Sequence, residues 1–151
     1  MPRRKFLLLA ALPVFAGCAP TAEQQGAAFT ASVSATAIRA RQSRRFDTVD
    51  QTLMLQSSVG ALQDIGFTIE ETQPQHGVVV GTKLAGARLR AQVVVRPAAT
   101  GSGTVVRATF QRIIPRPGAM LAVGEVLDDP QLYQGFFEKL AQSAFLTAHE
   151  I

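Results

Sequence analysis

Apolar residues recur at two spacings along this chain, and the change from one to the other predicts the order of its elements. The first set is spaced three or four residues apart, as on one face of an α-helix. This set comprises Leu55, Val59, Leu62 and Ile65. We therefore predict a helix over residues 49–65, which Asp47 or Thr48 would cap. Asp50 would lie in its first turn, and Gly66 suits the left-handed position that follows a helix.

Strict alternation of apolar and polar residues follows this helix and predicts a sheet with one buried face. Turns are expected at residues 74–77 and 100–103, where Pro and Gly interrupt the alternation. The predicted strands cover residues 67–70, 78–83, 88–96 and 106–110, with a short fifth strand around 121–126.

The pattern also predicts the register of the hairpin formed by the third and fourth strands. One register sets Val95 opposite Val106. The other shifts the pairing by two residues and sets Arg96 directly opposite Arg107. Like charges facing each other across a strand pair cost a few tenths of a kcal/mol or more, so we predict the first register.

A second amphipathic segment closes the chain and completes the predicted fold. Asp129 is a suitable N-cap, and Pro130 suits the first helical position because it needs no N–H donor there. The apolar stripe that follows comprises Leu132, Tyr133, Phe136, Phe137, Leu140, Ala144 and Phe145. The order α-β-β-β-β-(β)-α predicts an α+β fold: a two-layer sandwich whose four- or five-stranded, mainly antiparallel sheet carries both helices on one face.

Arginine is concentrated on the polar face of the predicted sheet, which makes this face the candidate docking site. It carries Arg88, Arg90, Arg96 and Arg107. A solvated face explains this composition, because the stem of arginine covers apolar surface while its head group stays wet. The alternative is a docking face for lipid head groups, lipopolysaccharide phosphates or an acidic protein. The sequence favours the solvated face and leaves the alternative open.

The first seventeen residues have the pattern of an export signal. Three basic residues, Arg3, Arg4 and Lys5, precede an apolar run of 11 residues from Phe6 to Ala16. That length suits a signal peptide and is too short to span a membrane. The run ends in the residues Phe-Ala-Gly before Cys18, which resembles the lipobox of bacterial lipoprotein precursors, with Phe where Leu is commoner.

This resemblance implies that residues 1–17 are removed and that Cys18 receives the lipid. Ala19 stands where many enteric lipoproteins that stay in the inner membrane have Asp. The resemblance therefore implies a lipid anchor in the outer membrane, on its periplasmic side. Cys18 is also the only cysteine, so the domain must be stable without an internal disulfide.

Removal of the signal changes the charge and leaves a tether and one domain. The remaining chain has twelve basic and eleven acidic residues, a net charge of +1. Its composition therefore no longer supports nucleic-acid binding. Residues 18–45 are rich in Ala, Thr, Ser and Gln and are predicted to be a flexible tether. Residues 46–151 have the length of a single domain.

No arrangement of catalytic or metal-binding residues is visible in the sequence. His76 and His149 have no second ligand at metal-binding spacing and are expected at the surface. Glu70 and Glu71 are adjacent on a predicted strand, where neighbouring side chains point to opposite faces, so they should not form a carboxylate pair. Ser57 and Ser58 fall inside a helix with no base nearby in the sequence. We expect no enzymatic activity, no cofactor and no metal.

From about Phe46 onward the chain resembles a group of proteobacterial outer-membrane lipoproteins. The most specific part is the ending "DDPQLYQGFFEKLAQSAFLTAHEI". The architecture is also distantly similar to the BamC-type lipoprotein of the β-barrel assembly machinery. This second likeness is one of architecture only, and a shared architecture does not determine function. We expect a non-enzymatic accessory or scaffold subunit of an envelope complex. A carrier of lipid or another small ligand is the alternative, and it would need a cleft lined by Phe110, Phe136 and Phe137.

Overall fold

A computed structural model describes residues 34–115, 117–118 and 123–149, and side chains only as far as Phe145. The predicted signal peptide, Cys18 and the first part of the predicted tether lie outside these residues. The elements are α1 (residues 34–42), β1 (Ser43–Phe46), α2 (Gln51–Asp64), β2 (Thr68–Gln73), a short 3-10 turn (Pro74–His76), β3 (Val78–Ala85), β4 (Ala87–Pro97), β5 (Thr104–Ile114), β6 (Val123–Val126) and α3 (Pro130–His149).

The described elements form the predicted two-layer α+β sandwich. All strand pairs are antiparallel, in the order β1-β5-β4-β3-β2, and β6 pairs with β5 beyond the end of β1. Helices α2 and α3 pack against each other and cover one face of the sheet. The described sheet has six strands where the sequence predicts four or five, because the sequence pattern does not reveal β1.

The predicted tether extends too far, since residues 34–45 belong to the folded domain. Strand β1 pairs with β5 from Ser43 opposite Arg107 to Phe46 opposite Thr104. Just before it, Arg41 forms a two-pronged ion pair with Asp128, with nitrogen–oxygen distances of 2.7 and 2.9 Å. These residues are ordered because β1 pairs with the edge of β5, whose backbone N–H and C=O groups would otherwise lack partners.

Helix α2 begins two residues later than predicted and ends one residue earlier, at Asp64, with Gly66 following it as predicted. Asp50 is the N-cap, because its carboxylate accepts from the Leu53 N–H at 2.9 Å; neither Asp47 nor Thr48 caps the helix. At the other end Gly66 has φ +88°. The backbone N–H groups of Gly66 and Phe67 donate to carbonyls of the last helical turn, both at 2.9 Å. This pair of bonds is the Schellman arrangement that glycine at C′ favours.

The predicted hairpin register is confirmed. Val95 is opposite Val106, Val93 is opposite Ala108, and Arg107 is opposite Val94 rather than Arg96. The side chains that this register turns toward the helices are fully or almost fully buried. They are Ala91, Val93, Val95, Val106, Ala108 and Phe110.

Helix α3 covers this apolar face with its aromatic stripe. Asp129 caps it, accepting from the Gln131 and Leu132 N–H groups at 3.0 and 3.4 Å. The rings of Tyr133 and Phe136 meet Phe110 edge-on, with centroids 5.2 and 5.8 Å apart. Phe145 was predicted in the same stripe but is 64% exposed. It lies four residues after Ala141 and seven after Glu138, on the exposed side of the helix, whereas Ala144 packs against the buried cluster.

Candidate functional site

The four predicted docking residues share the outer face of the sheet, the face opposite α2 and α3. Arg88, Arg90 and Arg96 alternate with buried residues along β4, and Arg107 does so on β5. All four are exposed. Within the described part of the chain, no element packs over this face. The register separates the four arginines into two groups.

The first group, Arg88 and Arg90, lies beside a carboxylate. Arg88 forms an ion pair with Glu70 at 3.1 Å, and the Thr82 hydroxyl donates to the same oxygen at 2.8 Å. This bond from Thr82 is the main reason that the pKa of Glu70 lies below its usual range. Desolvation opposes it, and Arg88 and Arg90 lower the pKa further. The positive charge at this end of the sheet is therefore partly neutralised.

A β-bulge in β2 explains this contact and corrects the prediction for Glu70 and Glu71. The register skips a residue between Ile69 and Glu71, so that Glu70 is the extra residue. Both carboxylates consequently lie on the outer face, although the sequence pattern predicted opposite faces. Glu70 contacts Thr82 and Arg88, whereas Glu71 accepts from the amide of Gln73. Each carboxylate thus has its own structural partner.

The second group contains Arg96, Arg107 and a residue that the sequence did not indicate, Arg45. Cross-strand pairing sets Val105 between Arg45 on β1 and Arg96 on β4 in one row. Arg107 is two residues along β5 from Val105 and points to the same face. We call these three residues the arginine triangle. No carboxylate of the described residues forms an ion pair with any of them.

Neutral groups hold two members of the arginine triangle in place. Arg107 donates to the side-chain oxygen of the buried Gln42 at 3.0 Å. Arg45 donates to the backbone oxygen and the hydroxyl of Ser102, at 2.8 and 3.1 Å. These bonds orient the guanidinium groups without cancelling their charge.

A shallow depression of about 370 Å³ lies at the arginine triangle. It is lined by Ser43, Val94, Arg96, Val105 and Arg107. The two valines are only half-buried and form an apolar floor, and the two guanidinium groups and the Ser43 hydroxyl supply hydrogen-bond donors at the sides. Such a surface can bind a phosphate or carboxylate group, because guanidinium offers paired N–H donors that match both anions.

The sequence did not indicate Ser43 and Arg45 as part of this surface, because β1 carries no usable pattern. Its sequence is Ser-Arg-Arg-Phe, and the assignment of residues 18–45 to a tether placed three of the four residues outside the domain. Arg44 and Phe46 point to the helix side in this register, whereas Ser43 and Arg45 point to the outer face. Only the pairing with β5 distinguishes the two arginines.

A second depression, of about 430 Å³, lies between β1 and α3. Phe46, Phe137 and Ala141 contribute its apolar lining. The Arg44 guanidinium lies 5.2 Å from the centre of the Phe137 ring, within the range of a cation–π contact. The cleft expected between Phe110, Phe136 and Phe137 is a different place, and there Phe110 and Phe136 are fully buried and pack against each other.

The remaining candidate groups have ordinary structural surroundings. His76 is exposed at the end of the 3-10 turn, and the side chain of His149 is outside the described residues. Ser58 donates to the Met54 carbonyl at 2.7 Å, whereas the Ser57 hydroxyl is buried in α2 without a hydrogen-bond partner among the described residues and with no base beside it in the sequence. In the described ranges no three His, Cys, Asp or Glu residues come together as a metal site. No helix there has both the length and the apolar character needed to cross a membrane.

Comparison of the chain with models of known protein families and with curated proteins finds no match.

Proposed function

We propose that this chain is a lipoprotein of the bacterial envelope, anchored through Cys18 to the periplasmic side of the outer membrane. The observation that carries the proposal is the run from Arg3 to Cys18, in which basic, apolar and small residues precede a single cysteine. Thiolate is the nucleophile in cysteine chemistry, so this side chain can accept a diacylglyceryl group.

We further propose that the folded domain is a non-enzymatic accessory or scaffold subunit of an envelope complex. The packing of the core supports this role over that of a carrier. Phe110, Phe136 and Tyr133 fill the space between the helices and the sheet, so the domain's accessible chemistry is at its surface. The outer face of the sheet contributes four exposed arginines to that surface.

Metabolic labelling tests the anchor. An alkyne fatty acid supplied to growing cells should label the wild-type chain, and Cys18→Ala should remove the label, because no other thiol is present. Ala19→Asp is the matched control: it should keep the label, and it should move the protein toward the inner-membrane fraction where the enteric retention signal is read. Equal labelling of the Cys18→Ala variant would refute the anchor.

Co-purification from mildly solubilised membranes tests the scaffold role separately. A subunit of a complex should retain a partner in fixed stoichiometry. The wild type should migrate as a larger species than the isolated domain. This role would be contradicted if the chain, solubilised mildly from the membranes of its native host, were monomeric.

A carrier of lipid or another small ligand remains the second candidate because of the depression between β1 and α3. Its lining combines Phe46 and Phe137 with Arg44 and Arg45, which would suit an apolar chain with an anionic head, although Glu138 also lines it. Ala141→Trp should fill this depression and abolish binding of a fluorescent fatty acid, whereas Gln142→Trp, at an exposed neighbouring position, should not. The carrier role would be excluded if native mass spectrometry showed no lipid bound to the purified protein and the wild type bound no fatty acid.

A further inference from the structure

We propose that the arginine triangle of Arg45, Arg96 and Arg107 binds the phosphate groups of anionic membrane lipids and docks the outer face of the sheet on the bilayer surface. The inference rests on the proposed lipid anchor for the choice of a membrane over other anionic partners. The binding chemistry itself rests on the domain alone.

The charge distribution is the first argument. At the other end of the outer face, Arg88 already has a carboxylate partner in Glu70. The arginine triangle has none among the described residues, and its hydrogen bonds go to the neutral Gln42 and Ser102. Three arginines on neighbouring strands without an acidic partner leave a local excess of positive charge, which an external anion would offset.

The geometry is the second argument. Val105 lies at the centre of the triangle, with Arg45 and Arg96 as its cross-strand neighbours on either side. Neighbouring strands lie about 4.8 Å apart, so the Cα atoms of Arg45 and Arg96 are separated by on the order of 10 Å. Arg96 and Arg107 line the depression on this face, and Arg45 extends the cationic edge toward Ser102 and the depression between β1 and α3. Arginines spread over three strands in this way match the many head groups of a bilayer better than a single enclosed phosphate.

The position along the chain is the third argument. Fifteen residues, 19–33, separate Cys18 from the first described residue of α1. Even a fully extended segment of that length reaches at most about 50 Å. The triangle begins in β1, directly after α1, so a lipid anchor at Cys18 would keep it close to the membrane surface at high local concentration.

Vesicle sedimentation tests this without the anchor. We would use the chain from residue 18 with Cys18→Ser, which carries no lipid, and vesicles of phosphatidylcholine with or without phosphatidylglycerol. The chain should bind only vesicles that contain phosphatidylglycerol, and added salt should weaken binding by screening. Arg96→Gln/Arg107→Gln should lower the binding constant about thirtyfold, since each arginine near an anionic surface contributes roughly fivefold.

Arg112→Gln/Lys139→Gln is the matched control for net charge. Arg112 is opposite Leu89 on the helix side of the sheet, and Lys139 is an exposed residue of α3. This pair should lower binding by less than about threefold. If Arg107→Gln unfolds the domain by leaving Gln42 without its partner, the single Arg96→Gln variant should still lower binding about fivefold.

Four results would overturn the proposal: no binding to phosphatidylglycerol vesicles, equal binding to both kinds of vesicle, equal losses in the test and control variants, or full competition by millimolar inorganic phosphate. The last result would indicate a free-phosphate site instead of a lipid surface. Because the chain carries no lipid in this experiment, its outcome is independent of labelling at Cys18. Either proposal can therefore fail without the other.

Discussion

The hydroxyl of Tyr133 shows how one polar atom completes the sheet at the scale of a single residue. Strands β1 and β6 pair with the same edge of β5, β1 through residues 104–107 and β6 through residues 111–114. Phe110 lies in the gap between them, and its N–H donates to the Tyr133 hydroxyl at 3.4 Å. That hydroxyl donates to the Leu127 carbonyl at 3.0 Å and accepts from the Gln42 amide at 3.3 Å. It thus links α1, β5 and the segment before α3.

Removing this hydroxyl should destabilise the domain although the ring is retained. We predict that Tyr133→Phe lowers the free energy of unfolding by about 1–3 kcal/mol, because buried donors and an acceptor lose their partner. Urea denaturation monitored by circular dichroism measures this change. Gln134→Ala, at the exposed neighbouring position, is the control and should change stability by less than about 0.5 kcal/mol. A Tyr133→Phe variant as stable as this control would show that the hydroxyl is not needed.

Helix α3 is the element that closes the core. Two of its phenylalanines, Phe136 and Phe145, provide a direct test of this role. Phe136 is fully buried and in ring contact with both Phe110 and Phe137. We predict that Phe136→Ala lowers the free energy of unfolding by about 3–5 kcal/mol, through lost burial and the cavity that remains. Phe145→Ala removes the same side chain from an exposed position and should cost less than about 1 kcal/mol. Equal denaturation midpoints for the two variants would contradict this account of α3.

The elements also show what the sequence pattern could predict and why it stopped there. The stripes of α2 and α3, the alternation in β3–β5 and the hairpin register were predictable, because one buried face imposes a period on each of them. Strand β1 was not, because its four residues are ordered by backbone pairing with β5 and show no apolar period. The bulge at Glu70 could not be predicted for a similar reason. One extra residue changes which face of the sheet the following side chains point to, and no residue type in this segment marks that change.

The same distinction applies to the candidate site. Four of its arginines were predicted on one face, because alternation with buried valines fixes where they point. Their division into a partly neutralised group and a group without an ion pair depends on Glu70 and Arg45, whose positions follow from tertiary pairing. Charge counting along the chain cannot reveal such a division.

At the scale of the whole molecule, the boundary of the folded domain is the prediction that most affects any further experiment. Residues 34–46 supply the Arg41–Asp128 ion pair, the buried Gln42 and the β1 partner of β5. A chain that begins at Asp47 keeps the Asp50 cap of α2 and loses all of these contacts. It also leaves the edge of β5 without its β1 partner, which is a liability for aggregation.

We therefore predict that a chain beginning at Asp47 is less stable than one beginning at Ser34 by on the order of 3 kcal/mol or more. The reasons are the unsatisfied partners of Gln42 and the lost burial of Phe46, which packs against the core. Denaturant midpoints of the two chains measure this difference, and the chain beginning at residue 18 is the reference for both. The chain from Ser34 should match the reference, because it retains every described contact. If the chain from Asp47 also matched it, α1 and β1 would contribute nothing to folding, and the domain boundary near residue 46 that the sequence predicts would be correct.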